Sequence, residues 1–266
     1  MNANEFTAAT LALIEARREA RRVDPLPAEW LPGELPIAYR LQRAIARPLG
    51  DVGGWKVAAL TETQQHAMDV PGPVAGPLLA PWVQHSAGRL SLANFVEPKL
   101  ECEFAFELSR DLPERAAGAK PYTRSEVEAA VGSLRIGIEV CDSRLPAGAP
   151  TLAQLADDLN NGAYIIGPAS TDWHHVDYAE HEIVLRAVVD GQRVELARGN
   201  GRPILDGDPV GALLLLANAQ PPGYGGLRAG QIVTTGSCTG AVAVPGAGDY
   251  EADFGALGSV RLRFVS

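Results

Sequence analysis

Apolar residues recur at helical spacing in the first part of the chain and then change to short, strand-like runs. Helical patterns cover residues 4–22 and 35–47, and four prolines punctuate this region: Pro25, Pro27, Pro32 and Pro36. We therefore expect residues 1–52 to form a helical cap or oligomer arm. The first predicted helix ends in a basic cluster, which we interpret as the complement of the helix dipole: Arg17, Arg18, Arg21 and Arg22.

From residue 53 onward, short apolar runs bounded by glycine and proline predict a β-rich body that covers residues 53–266. The segment 100–108, LECEFAFEL, alternates strictly, so that its apolar residues share one face and Glu101 and Glu103 lie on the other. This pattern predicts a strand with an acidic face. Further strands are predicted at 54–58, 135–140, 162–166, 182–189, 193–197, 232–235, 249–254 and 259–264.

Capping patterns predict three helices in this body, at residues 123–134, 151–159 and 209–219. Thr123 and Glu126 form a capping-box pattern, and Asp208 followed by proline suits the start of the last helix. The strands 182–189 and 193–197 are predicted to form a hairpin that turns at Asp190-Gly191.

Composition and charge exclude several classes of protein. The net charge of −9 and the pI near 5.1 argue against a nucleic-acid partner, which requires a concentrated basic face. The longest apolar run, 211–219, is far shorter than a membrane span, and the N-terminus lacks the apolar stretch of a secretion signal. Three scattered cysteines form neither a disulfide framework nor a zinc-finger spacing. We expect a cytoplasmic protein without a membrane partner.

The acidic pair Glu101 and Glu103 is the first candidate for chemistry, because two carboxylates on one strand face, roughly 7 Å apart, repel each other unless something compensates them. A hard divalent cation such as Mg²⁺ or Mn²⁺ is the usual compensation. The alternative is an ordinary solvated strand face. Glu139 is a third candidate, since it lies in an apolar strand pattern and a buried carboxylate requires a partner. A structural salt bridge to an arginine is the alternative there, with two candidates in the sequence: Arg135 and Arg144.

Lys56 follows a double glycine in the short apolar segment GWKV, where desolvation could lower its pKa and make it a general base. An ordinary edge-strand lysine is the alternative. The loop 234–240, TTGSCTG, combines hydroxyls and glycines and could bind a carboxylate, although an ordinary turn explains it equally well. The sequence has no HExxH zinc motif, no P-loop and no GxSxG nucleophile elbow.

Seven short motifs, taken in order, resemble the 2-oxopent-4-enoate hydratase and 4-oxalocrotonate decarboxylase branch of the fumarylacetoacetate hydrolase superfamily. They are GWKV, LECEFAFEL, IEVCDSR, LADDLNNG, GDPVGALLLLAN, IVTTGSCTGAVAV and EADFGALGSV, and they span about residues 53–264. The resemblance implies an α+β fold, in which a mixed β-sheet roll or barrel of the superfamily's C-terminal type follows an N-terminal helical segment. It also implies a homo-oligomer. A complex of this homo-oligomer with another enzyme of the same pathway is a further expectation.

The resemblance assigns roles to the candidate residues. Glu101, Glu103 and Glu139 would bind Mg²⁺ or Mn²⁺, and Lys56 and Asp157 would be catalytic. The implied substrate-binding residues are Arg144, Asn161, Ser237 and Thr239. The metal would bind the 2-oxo group and the adjacent carboxylate of a small 2-oxo acid and neutralise charge on its enolate.

The reaction implied by the resemblance is hydration of a 2-hydroxydienoate or 2-oxoenoate to a 4-hydroxy-2-oxo acid, a step of aromatic catabolism. Three alternatives stay open: a 4-oxalocrotonate-type decarboxylase, an acylpyruvate C–C hydrolase, and a non-catalytic homologue that binds 2-oxo acids. The chain also departs from the family pattern. It has DDLNN at 157–161 instead of a D-N-A-S-S-like run, AALT at 58–61 instead of a glycine-leucine-threonine run, and no carboxylate at 70–77. We therefore expect an altered pocket.

Overall fold

The computed structural model describes residues 1–189 and 191–266, in which six α-helices and thirteen β-strands are formed. The helices are α1 (Ala3–Arg18), α2 (Leu35–Ala46), α3 (Glu62–Met68), α4 (Arg124–Glu128), α5 (Thr151–Ala156) and α6 (Pro209–Asn218). None of these helices, within the described part of the chain, has the length and apolar character that a membrane span requires.

The strands form two sheets. Their bounds are β1 (Val52–Ala58), β2 (Val74–Leu79), β3 (Val83–His85), β4 (Gly88–Ser91), β5 (Lys99–Leu108), β6 (Val131–Cys141), β7 (Asn161–Ser170), β8 (Ile183–Val189), β9 (Gln192–Gly199), β10 (Ile232–Ser237), β11 (Val242–Ala243), β12 (Gly248–Asp253) and β13 (Ser259–Val265). The first sheet has the order β2-β1-β10-β5-β6-β7-β3, with β11 paired to β5, and the second has the order β4-β13-β12-β8-β9. Parallel and antiparallel pairs occur in both, which confirms the predicted α+β fold with mixed sheets.

The alternation along β5 separates the hydrophobic core from the acidic face, as its sequence predicts. Phe104 lies in the core between the sheets, where its ring packs edge-to-face on Phe254 with 5.7 Å between centroids and on Tyr178 with 5.0 Å. Such aromatic contacts add to the stabilisation from burial alone. The opposite face of the same strand carries Glu101 and Glu103, so these acidic side chains point away from the largest apolar cluster.

One predicted helix is much shorter in the structure, whereas the predicted hairpin is formed. The helix predicted at 123–134 ends at Glu128, although its capping box is formed as predicted, because Val131 and Gly132 are poor helix formers and the residues from Val131 onward pair with β5. The strands β8 and β9 form the predicted antiparallel hairpin. Its predicted turn includes Asp190, which lies outside the described residues.

The N-terminal helices pack on the body through an apolar cluster in which Leu13 of α1 and Ile45 of α2 meet Ala153 of α5. Arg17 and Arg18 lie in the last turn of α1, as the dipole interpretation requires, but Arg17 has buried partners as well. This side chain is 7% exposed and its guanidinium hydrogen-bonds to residues 158–162, whereas Arg18 is exposed. The N-terminal helix is therefore attached by a buried charge as well as by apolar packing. That residues 1–52 also join subunits stays a prediction.

We expect Gly137→Ala to lower the free energy of unfolding by about 1–3 kcal/mol, the usual range for overpacking. A Cβ atom at this position of β6 would lie 2.0 Å from Oη and 2.3 Å from Cζ of the buried Tyr164. Urea denaturation measures the change. Gly53→Ala in β1 is the matched control, since its nearest non-local heavy atom would lie at 3.4 Å. Equal stability of the two variants would contradict the close packing of Tyr164 over Gly137.

Candidate active site

The pairing of β5 with β6 brings the three glutamates together. Glu101 lies directly opposite Glu139, and Glu103 lies opposite Gly137 two residues further along. Glu103 is 1% exposed and Glu139 is 0% exposed, whereas Glu101 is half-buried. The alternative of a solvated strand face is therefore wrong for Glu103, and three carboxylates share a largely buried region.

Lys56 is the cationic partner of this cluster. Its Nζ lies 2.9 Å from Oε1 of Glu139, and Nδ2 of Asn161 donates to the same oxygen at 3.0 Å. The other oxygen of Glu139, Oε2, is buried and has no hydrogen-bond partner among the described residues. The two arginines that the sequence left open as partners of Glu139 pair elsewhere, at 2.6 Å between Arg135 and Glu107 and at 3.0 Å between Arg144 and Asp157.

Burial and mutual repulsion shape the electrostatics of the cluster. Burial raises the pKa of Glu103 well above its ordinary value, and the carboxylates of Glu139 and Glu101 raise it further. Burial also raises the pKa of Glu101. For Lys56, burial lowers the pKa but is outweighed by the neighbouring carboxylates, Glu139 first, so the pKa lies above its ordinary value. The expected lowering of the Lys56 pKa by desolvation is therefore wrong for this arrangement.

The donor chemistry of the cluster fits a hard divalent cation. Three carboxylates lie near one ammonium, and the buried Oε2 of Glu139 is an acceptor without a hydrogen-bond partner in the described part of the chain. Oxygen donors of this kind are the ligands that Mg²⁺ and Mn²⁺ prefer. Glu101, Glu103 and Glu139 are thus the residues that could hold such an ion.

Cys141 is a neighbour that the sequence reasoning did not assign to the site. A ligand atom from each of Glu101, Glu139 and Cys141 lies within 4.8 Å of the others, whereas the Glu103 carboxylate accepts a hydrogen bond from the amide of Gly236 at 3.1 Å. Burial raises the pKa of the Cys141 thiol well above its usual range, and a neutral thiol is a poor ligand for a hard cation. Cys141 follows Glu139 by two residues on one predicted strand, and this spacing was the sequence signal that places both side chains on the same face.

Two cavities meet at the cluster and share the side chains of Lys56, Glu101, Gln154, Leu159 and Asn160. The first has a volume of about 380 Å³, and the second one of about 390 Å³. Beyond the shared residues, the first cavity is lined mostly by apolar side chains, among them Val57, Leu60, Met68, Pro203 and Ile204. The second is more polar and includes Arg22 and Lys99.

The predicted site residues are only partly brought together. Ser237 lines the first cavity with Glu103, and its buried Oγ has no hydrogen-bond partner among the described residues. Asn161 hydrogen-bonds to Glu139 and lines neither cavity. Thr239 lines neither cavity, since its Oγ1 accepts a hydrogen bond from the amide of Cys102 at 3.1 Å.

Asp157 and Arg144 form a buried pair with each other. The backbone amide of Arg144 donates to Oδ2 of Asp157 at 3.2 Å, and its Nε donates to Oδ1 at 3.0 Å. Burial raises the pKa of Asp157. Neither residue lines either cavity, so the structure does not bring the predicted catalytic Asp157 or the predicted substrate-binding Arg144 to the glutamates.

The turn between α5 and β7 supplies two residues that line the cavities, Leu159, which was predicted to lie in a helix, and Asn160, which follows that helix. Asp158, Leu159 and Asn160 have φ values of 53°, 54° and 61°, so the helix predicted at 151–159 ends at Ala156. The left-handed region costs a non-glycine residue about 1–2 kcal/mol, which surrounding contacts must offset. Nδ2 of Asn160 donates to Gln154 at 2.8 Å, and its buried Oδ1 has no partner among the described residues.

The chain is similar over its full length to known proteins, although it matches no protein-family model. It is 30% identical to the 2-keto-4-pentenoate hydratase of Burkholderia vietnamiensis over 267 residues, which cover 98% of each chain. It is also 30% identical to the enzyme of that name from Paraburkholderia phymatum over 266 residues, again 98% of each.

Among solved structures, the 4-oxalocrotonate decarboxylase from Pseudomonas putida G7, complexed with magnesium and adipate, superposes with a TM-score of 0.84 at 22% identity. The match covers 100% of this chain and 99% of that one, and it shows that the fold is shared. Together with the full-length hydratase relatives, it confirms the resemblance inferred from the seven motifs. The chain belongs to the 2-keto-4-pentenoate hydratase family.

Proposed function

We propose that this enzyme is a divalent-metal-dependent hydro-lyase that hydrates a 2-hydroxydienoate or 2-oxoenoate to a 4-hydroxy-2-oxo acid. The observation that carries the proposal is the buried cluster of three glutamates around Lys56, at the junction of two cavities. Two full-length relatives are named 2-keto-4-pentenoate hydratase, and a protein of the same fold is complexed with magnesium. These similarities support the reaction and the cofactor.

Glu101, Glu103 and Glu139 would hold the Mg²⁺ or Mn²⁺ ion. The partnerless Oε2 of Glu139 and the repulsion among the three carboxylates both favour an added cation at this point. When bound, such an ion supplies positive charge that neutralises the negative charge of a 2-oxo acid.

The side chains around the cluster would handle the protons of the reaction. Ketonisation moves a proton from the 2-hydroxyl group to the distal carbon of the diene and gives a conjugated 2-oxo-3-enoate. Water then adds to C4, the alkene carbon farther from the oxo group, and a proton adds to C3. Lys56 is placed to carry protons, because it lines both cavities and its Nζ lies beside Glu139. The free Oδ1 of Asn160 and Oγ of Ser237 would orient the attacking water and the substrate.

The first cavity favours hydration of a monoacid over decarboxylation of a diacid. Its wall beyond the glutamates includes Leu60, Met68 and Ile204, and Lys56 is its one basic residue within the described chain. A second carboxylate at the far end would therefore be buried without a partner, which is costly. The second cavity leaves open the alternative, a 4-oxalocrotonate-type decarboxylase, because Lys99 could accept that carboxylate there, whereas Arg22 already pairs with Glu97.

We expect the purified enzyme with Mg²⁺ to consume 2-hydroxypenta-2,4-dienoate, followed by loss of dienoate absorbance, and to release no CO₂ from 4-oxalocrotonate. The apolar wall of the first cavity is the physical reason. CO₂ release with the dienoate left intact would instead establish the decarboxylase. Turnover of neither substrate, with a 2-oxo acid still bound, would indicate a non-catalytic homologue.

We expect Glu103→Gln to abolish turnover and to weaken Mg²⁺ binding by at least about 100-fold, since even outer partners of metal ligands are worth about 10–100-fold. Isothermal titration calorimetry measures the affinity. Glu107→Gln is the matched control, because Glu107 lies on the same face of β5 but pairs with Arg135 at 2.6 Å and lines neither cavity of the cluster. Equal Mg²⁺ affinity of both variants would exclude the proposed ligand set.

We expect Lys56→Met to lower kcat by about 10²–10⁴-fold, the usual contribution of a positioned acid or base, without weakening Mg²⁺ binding. Removal of the ammonium takes away a competitor for Glu139 but no ligand. Steady-state hydration kinetics and calorimetry separate the two effects. Lys99→Met, which removes a cation from the second cavity only, should keep the kcat of the wild type. A Lys56→Met variant with normal kcat would remove Lys56 from the mechanism.

A further inference from the structure

We propose that Arg17, on the N-terminal helix, is a positioning residue for the active site and acts through the left-handed turn at residues 158–160. The inference rests on the proposed function, because its consequence is the geometry of the metal ligands and of the two cavities. It gives the helical segment a part in the reaction, beyond that of a cap or oligomer arm.

The guanidinium of Arg17 forms hydrogen bonds at both ends of the turn and thereby holds it. Nη1 donates to Oδ2 of Asp158 at 3.0 Å and to the backbone carbonyl of Asn161 at 2.9 Å, and Nη2 donates to the carbonyl of Gly162 at 3.1 Å. On its other side the guanidinium lies 4.4 Å from the ring centroid of Trp82. Its planar fork of donors thus fixes the turn relative to α1 and to the first sheet.

The turn held by Arg17 contributes residues to the candidate active site. Leu159 and Asn160, between the two hydrogen-bonded ends, line both cavities. Asn161, whose carbonyl accepts from Arg17, donates through its side chain to Glu139 at 3.0 Å. A shift of this turn would therefore move a cavity wall and a hydrogen bond to a proposed metal ligand together.

The opposing wall shows how closely the turn is held. A Cβ atom on Gly76 of β2 would lie 2.4 Å from the carbonyl oxygen of Asp158 and 2.9 Å from Cβ of Leu159. The glycine therefore allows β2 to contact the turn on one side while Arg17 holds it on the other. Three successive left-handed residues stay in place because they are confined from both sides.

Stability alone is a weak explanation for the pair between Arg17 and Asp158. Burial lowers the pKa of Arg17 to about 10 and raises the pKa of Asp158 to about 6, so desolvation outweighs the mutual attraction for both groups. Nε of Arg17 and Oδ1 of Asp158 are also buried without partners among the described residues.

The test compares Arg17→Met with Arg18→Met, an exposed neighbour on the same helix. Mg²⁺ affinity, kcat and KM for the dienoate are measured well below each variant's Tm, and kcat is calculated from the concentration of folded protein. We expect Arg17→Met to weaken Mg²⁺ affinity and to lower kcat, each by about 10–100-fold. Arg18→Met should match the wild type, and Arg17→Lys, which keeps the charge beside Asp158, should recover part of the loss.

A lower Tm of Arg17→Met, with kcat, KM and Mg²⁺ affinity all within twofold of the wild type, would show a purely structural role and overturn the inference. Should Arg17→Met fail to fold, Asp158→Asn removes the same ion pair with little change of shape, and the same losses are expected from it. In a double-mutant cycle the two changes should be non-additive. Absence of Mg²⁺ binding and of hydration in the wild type itself is a different outcome, which would overturn the proposed function and this inference with it.

Discussion

The burial of three carboxylates beside one ammonium is the constraint on which the rest of this structure depends. Glu103 and Glu139 are removed from water, and among the side chains that the structure describes Lys56 is the cation that offsets their charge at close range. An uncompensated buried carboxylate is costly, so the fold must supply partners or leave a place for a cation. It does both, through Asn161 and the Gly236 amide on one side and the free oxygen of Glu139 on the other.

The register of the first sheet makes this burial possible. The pairing of β5 with β6 sets Glu101 opposite Glu139 and leaves Gly137 opposite Glu103, where the missing side chain gives room to Tyr164. A slip of β5 by one residue would turn Glu101 and Glu103 toward the aromatic core around Phe104. The same alternation that builds the core therefore also sets the positions of the acidic groups, and neither can change without the other.

The sequence predicts the parts of the site that depend on local periodicity and little of what depends on distant contacts. The alternation in β5 is enough to place Glu101 and Glu103 on one face, and the apolar pattern around Glu139 is enough to indicate burial. The partner of Glu139 was not predictable, because Lys56 comes from another strand and competes with nearer arginines along the chain. Arg17 illustrates the limit, since its partners lie 141–145 residues away.

The turn at 158–160 was mispredicted for a different reason, and that reason bears on function. Helical propensity continues through Leu159, but contacts from Arg17 and the close approach of Gly76 hold the residues in a conformation that local preference disfavours. Because Leu159 and Asn160 belong to both cavities, the position of this turn decides how the space around the glutamates is divided. The metal cluster would be common to hydration and decarboxylation, whereas the apolar first cavity and the more polar second cavity would suit different substrates. Under the proposed function, the choice of reaction would therefore depend on a segment that the N-terminal helix holds on one side and β2 of the first sheet contacts on the other.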